Sequence, residues 1–114
     1  MIAFNTTAQM IPRSLDHSPT CETMGTLRIT VTDHSGAVIP NAFVFIRADQ
    51  LGNRKAFQLE LHTNSVGNAT ASVPCGYVDV FIARDGFAPH AEKVLVRDTS
   101  ILSLALEVYS MPTD

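Results

Sequence analysis

The chain has 114 residues, 46% hydrophobic and 17% charged, with a formal net charge of −3 and no tryptophan. That length suits one domain, which at this size buries roughly 65% of its unfolded surface and needs neither a metal nor several staples to hold a core. The negative balance argues against nucleic acid or an anionic membrane as partner, and no apolar run approaches the roughly 18 residues of a membrane-spanning helix.

In chain order, residues 1–24 read as an arm or linker, 25–110 as the domain and 111–114 as a tail. The opening MIAFNTTAQMIPRSLDHSPTCETMG has neither the charged n-region nor the sustained apolar stretch of a secretory signal. A leader removed before this numbering begins and a misplaced start codon both fit. From Thr26 the hydrophobic period is two. Leu27, Ile29 and Val31 alternate with Arg28, Thr30 and Thr32, which predicts a half-buried strand. Further runs follow at Ala42/Val44/Ile46, Phe57/Leu59/Leu61, Ala69/Ala71/Val73, Val78/Val80/Ile82, Val94/Val96 and Leu102/Leu104/Leu106/Val108. Turn signals separate them: DHSG, DQLGN, NSVGN, PCG, RDG and RDTS. Short strands punctuated this regularly, with no amphipathic helix between them, predict an all-β sandwich of seven strands.

Asp33, His34 and Ser35 are the one stretch that looks like chemistry. A catalytic triad needs its members to converge from different parts of the fold, and three consecutive side chains cannot line up Asp to His to Ser. Running into Gly36 between two strands, they read as a turn. His17, His34, His62 and His90 lack the close spacing of a structural zinc site and read as solvated, with His90 in a loop after Pro89. Cys21 and Cys75 are the only thiols. Two small core residues and one disulfide are both open, the second implying an oxidising compartment and about 4 kcal/mol of loop-closure stabilisation. Asn5-Thr6-Thr7 and Asn68-Ala69-Thr70 are glycosylation sequons, a pattern that also arises by chance.

The order TVTDHSGAVIPNAFVFI, then LHTNSVGNATASVPCGYVDVFIARDGF, resembles the carboxypeptidase regulatory-like domain family. The resemblance runs over about residues 25 to 108 and is carried by Asp33, Gly36, Pro40, Ala42, Thr63, Gly67, Pro74, Gly76, Gly86 and Phe87. Asn64 stands where an aspartate is common. The resemblance implies a transthyretin-like Greek-key sandwich, here with an extended N-terminal arm, and a non-catalytic role in folding, spacing or binding.

Related folds with chemistry of their own do not fit. Near the C-terminus the corresponding stretch reads Tyr109-Ser110-Met111, without the Arg-Gly of 5-hydroxyisourate hydrolases, whose end resembles Tyr-Arg-Gly-Ser. Intradiol dioxygenases hold iron with two tyrosines and two histidines in much longer chains, and only Tyr77 and Tyr109 exist here. The lysine and asparagine of an adhesin-type isopeptide bond are missing from the first and last strands.

The outward faces carry more. If Ala42, Val44 and Ile46 point inward, Phe43 and Phe45 point out, and the same parity turns Tyr77 and Phe81 outward. In such sandwiches strands two and five are neighbours, which would place four aromatics on one surface of the kind that marks contact. The bland alternative is scattered surface, or a face covered by the chain itself. Ile2, Phe4, Met10 and Ile11 in the arm offer a cover, in cis or from another subunit. The expectation is a secreted, periplasmic or cell-surface module without catalytic activity, cofactor or metal. It would act through contact with a protein partner or with itself, and would neither bind nucleic acid nor insert in a membrane. A small-ligand or carbohydrate-binding accessory module is the competing class.

Overall fold

Period-two patterning gives each run one apolar face, and such runs satisfy both backbone and side chains only by pairing into sheets that stack. A computed structural model describes residues 23–52 and 54–108. In it each predicted run is a strand: β1 Met24–Thr32, β2 Phe43–Ala48, β3 Phe57–His62, β4 Asn68–Pro74, β5 Gly76–Ala83, β6 His90–Val96 and β7 Thr99–Ala105. Three strands form one sheet in the order β4-β1-β7, and four form the other in the order β3-β2-β5-β6. All neighbours are antiparallel except β1 and β7, the first and last strands, which run parallel with Thr26 beside Thr99 and Thr32 beside Ala105.

The core is the seam between the two inner faces. Leu27, Ile29, Val31, Val73 and Leu102 from the smaller sheet meet Val44, Ile46, Val78, Val80, Ile82 and Val96 from the larger. Side chains are graded across the pairing: Ala71 lies opposite Leu27 and Ala69 opposite Ile29. Ile39 and Leu106, from segments flanking the strands, are also buried in it.

Two boundaries differ from the sequence pattern. The last strand ends at Ala105, not Val108, because its partner β1 ends opposite at Thr32, where the chain turns. Leu106 still donates its N–H to the Thr32 carbonyl at 2.8 Å, and Val108 forms an isolated bridge to Phe87. His90 opens β6 opposite Ile82 instead of lying in a loop. Pro89 has no N–H of its own but places no bar on the residue after it.

Two loops are built to one plan. The Asp33 carboxylate accepts from the N–H groups of Ser35 at 2.9 Å and Ala37 at 3.0 Å, and from the Ser35 hydroxyl at 2.7 Å. The Asn64 side-chain oxygen accepts from Val66 and Asn68, each at 3.0 Å. In both loops the residue three on, Gly36 with φ 90° and Gly67 with φ 78°, donates back to the first carbonyl. A positive φ at that position is what closes the turn, and glycine adopts it without strain. The Ser35 hydroxyl, followed by the backbone donors, holds the Asp33 carboxyl below its usual range. The Asp33-His34-Ser35 stretch is a turn, and Asn64 does the work of an aspartate without a charge.

Thr63 is the buried polar residue of the described core, 4% exposed. Its hydroxyl donates to the Ile39 carbonyl at 2.7 Å and accepts from the Ala42 N–H at 2.8 Å. Its own N–H and carbonyl pair with Ala42 and Asn41. One side chain thus ties the end of β3 to the loop that leads into β2, the strand that carries Phe43 and Phe45.

Candidate interaction face

The larger sheet has an outer face that the smaller sheet does not cover. Outward parity on β2 gives Phe43, Phe45 and Arg47, and on β5 gives Tyr77, Asp79 and Phe81. Register then sorts them into rows. Phe45 pairs with Phe81 across the strands, their ring centroids 6.1 Å apart and tilted by 36°. Phe43, opposite Ala83 on β5, meets His62 from β3 edge to face at 5.7 Å. Phe43 and Phe45 are half-buried by these contacts, while Phe81 is 39% and Tyr77 58% exposed.

The four aromatics therefore share a face but not a cluster. Phe43, Phe45 and Phe81 are together, and Tyr77 stands two rows away on β5. The row between is ionic: Asp79 accepts from Arg47 at 3.2 Å and from Lys93 at 3.0 Å, and Arg47 also reaches Asp49 at 3.2 Å. The Lys93 hydrogen bond, then the charges of Lys93 and Arg47, depress the Asp79 carboxyl against the opposing effect of burial. Solvent screens exposed pairs of this kind, so they add little to stability. What they do geometrically is divide the face, with an apolar end around Phe81 and a charged band beneath it.

At the apolar end the surface dips. A depression of about 350 Å³ is lined by Phe43, Phe81, Ala83, Pro89 and Ala91. Beside it lies a wider one of about 620 Å³, with Phe43, His62 and Phe87 at its walls and Arg84 and Asp85 at its rim. Arg84 donates to the Pro40 carbonyl at 3.2 Å, which anchors the rim to the loop that Thr63 holds. Sequence parity found Phe43, Phe45 and Phe81. It missed Pro89, Ala91 and Phe87, which belong to a different strand and loop and join the patch only through the β5–β6 register.

Tyr77 lies at the other end, where a second anchor operates. Arg54, in the β2–β3 loop, donates to the carbonyls of Asp49, Tyr77 and Cys75 at 2.8, 3.1 and 3.4 Å. A lone arginine in a loop gave no sequence signal for this. Cys75 sits between β4 and β5, and its N–H donates to the Thr23 carbonyl at 3.1 Å. Cys21, together with Ile2, Phe4, Met10 and Ile11, lies outside the described residues. Among the described residues no group of three or more His, Cys, Asp or Glu is placed to hold a metal ion. No helix there is long and apolar enough to cross a membrane.

Two stacked sheets, seven strands and firmly tied loops define a β-sandwich module. The chain belongs to the carboxypeptidase regulatory-like domain family, whose model matches residues 26–107. Among solved structures it is similar to the Bacillus anthracis TIE protein, with TM-score 0.63 and 21% identity over 76% of this chain and 17% of that one. It is also similar to 3-chlorocatechol 1,2-dioxygenase from Rhodococcus opacus 1CP, with TM-score 0.62 and 11% identity over 76% of this chain and 61% of that one. Catechol 1,2-dioxygenase from Pseudomonas arvilla C-1 gives TM-score 0.62 and 10% identity, covering 86% and 56%. At such identities the likeness is one of fold. The chain spans 17% of the first of these proteins and less than two thirds of the other two. No curated protein matches it in sequence.

Proposed function

We propose that this chain is a non-catalytic module that works by protein contact, with the Phe43, Phe45 and Phe81 end of the larger sheet as its contact face. One observation carries this: three aromatics and Pro89 and Ala91 form an apolar surface bounded by an ionic row, on a sheet whose loops are independently anchored. A rigid apolar centre with a charged margin is the anatomy of a binding surface. The photo-crosslinking amino acid p-benzoylphenylalanine, placed at Phe45 in the native host, tests it. A protein adduct is expected from position 45 and not from Thr70 on the other sheet; equal labelling from both would refute a specific face.

The module is proposed to work in an oxidising setting, secreted or in the cell envelope, with a Cys21–Cys75 disulfide. No cysteine among the described residues is free. Thr23 is hydrogen-bonded to Cys75, and the two residues from Thr23 back to Cys21 span at most about 7 Å. A Cα separation of about 4.4–6.8 Å, which a disulfide needs, is therefore within reach of Cys21.

The competing function, a module that accepts a small ligand or sugar, is favoured by the 620 Å³ depression, where aromatic walls meet an arginine and an aspartate. It predicts saturable binding of a small molecule that Phe43→Ala abolishes, without a protein adduct from position 45.

A further inference from the structure

Cross-strand partners on one side of a sheet lie level with one another, so the outer face of the larger sheet is a stack of rows. The first row holds Phe43 on β2 and Ala83 on β5, the next Phe45 and Phe81, and the third Arg47 and Asp79. β3 and β6 extend the second row with Glu60 and Ala91, and the third with Gln58 and Lys93. The two halves of each row complement one another. Large stands beside small in the first, ring beside ring in the second, and positive beside negative in the third.

β2 and β5 are the central strands of this sheet. A two-fold axis lying over the face, between these strands and parallel to them, turns the pattern onto itself. Each row then meets the same row of a second copy, with β2 over β5. Arg47 stands over the other Asp79, and Asp79 over the other Arg47. Phe45 stands over the other Phe81, and Phe43 over the other Ala83. That last pairing has a receptacle, because Ala83 lines the depression of about 350 Å³ between Phe43, Phe81 and Pro89. Lys93 is carried over Gln58 of the second copy, beside its Glu60. Stacked sheets cross at about 30°, which spreads the outer strands but leaves the positions nearest the axis facing one another.

The other choice of axis fails. A two-fold running across the strands exchanges rows and sets Arg47 and Asp79 against apolar side chains. Running along the charged row itself, it lays Arg47 on Arg47 and Asp79 on Asp79. Both arrangements are costly, the first through charges without partners and the second through repulsion. The charged row is also balanced within each copy, since Arg47 and Lys93 are paired with Asp79 and Asp49.

We propose that the occupant of this face is a second copy of the chain, related by a two-fold axis parallel to β2 and β5, with reciprocal Arg47–Asp79 pairs beside a Phe45–Phe81 centre. This rests on the contact face proposed above and names its partner. The face is four strands wide, and its outline is about 20 Å by 20 Å at ordinary strand dimensions. That is less than the roughly 800 Å² per partner of a standard stable interface, so the dimer dissociates on dilution.

Sedimentation equilibrium of the full chain from about 1 μM to about 1 mM tests it. The unaltered chain is expected to pass from monomer to dimer over that range. Arg47→Asp and Asp79→Arg each set like charges against one another in a homodimer, and each is expected to weaken it at least about tenfold. Mixed one to one, the two variants restore opposite charges at both contacts, and a heterodimer within about threefold of the original affinity is expected. A chain carrying both changes keeps its own ion pair and is expected to dimerise like the unaltered protein, which serves should a single variant fail to fold. A chain monomeric throughout, or a dimer indifferent to these substitutions, would overturn the second copy. So would folded single variants that do not rescue one another. A monomer that still gives an adduct from position 45 to a different polypeptide removes the self-contact and leaves the contact face standing; a monomer without such an adduct removes both.

Discussion

Replacing Thr63 by valine keeps the shape of the side chain and removes its hydroxyl. The site is 4% exposed, so water cannot take over, and no cavity opens. Two backbone groups lose their partner, the Ala42 N–H and the Ile39 carbonyl, which meet the hydroxyl at 2.8 and 2.7 Å. A buried polar group left unsatisfied costs about 1–3 kcal/mol. Two such groups, with partial relaxation of a loop still held by the Thr63 backbone, give about 3 kcal/mol. For a domain of this size that is a fall in Tm of very roughly 15 °C. Thr63→Ser keeps both hydrogen bonds and forfeits one buried methyl, about 1 kcal/mol. Urea denaturation of the three proteins measures the order directly. Valine within 1 kcal/mol of threonine, or serine less stable than valine, would refute the claim that the hydroxyl is the latch.

A free-thiol assay on unfolded, unreduced protein from its host is expected to find no thiol, and Cys75→Ser to cost up to about 4 kcal/mol; two free thiols would remove the disulfide and with it the main support for an oxidising setting. His34→Ala is expected to change stability by less than about 0.5 kcal/mol, since the ring is exposed and its nearest partner, Glu107, is 4.0 Å away. Asp33 and Asp79 both have lowered folded pKa values, so their contribution is complete above the ordinary carboxylate range and is lost as pH falls through the lowered values. Asp33→Asn, which builds the turn as Asn64 does, should therefore lose less stability than the unaltered chain when pH is taken from 7 to below 3 in thermal unfolding; an identical acid response would contradict the role given to that carboxylate.

The strands were legible because each carries its own alternation, and Asp33-x-Ser35-Gly36 was legible as a turn because its hydrogen bonds are local. What depends on register was not. Asp79 is one charge on the outer face of β5 until Arg47 and Lys93 are set beside it by two different pairings, and only then does it divide the aromatics into Phe43, Phe45 and Phe81 on one side and Tyr77 on the other. The end of β7 was misjudged for a similar reason. Leu106 and Val108 continue the alternation, but the strand beside them turns at Asp33, and a strand cannot outlast its partner. Thr63 looked like one more turn residue, because nothing local says that its hydroxyl faces a loop some twenty residues earlier.

The central claim is that the Phe45 end of the larger sheet is a contact face, and site-specific photo-crosslinking in the native host tests it most directly. A benzophenone at position 45 or 81 is expected to yield a discrete adduct with a second polypeptide, whether another copy or a different protein, while positions 70 and 103 on the smaller sheet do not join that polypeptide. No adduct from 45 or 81, or a link only to residues 1–20 of the same chain, would contradict it.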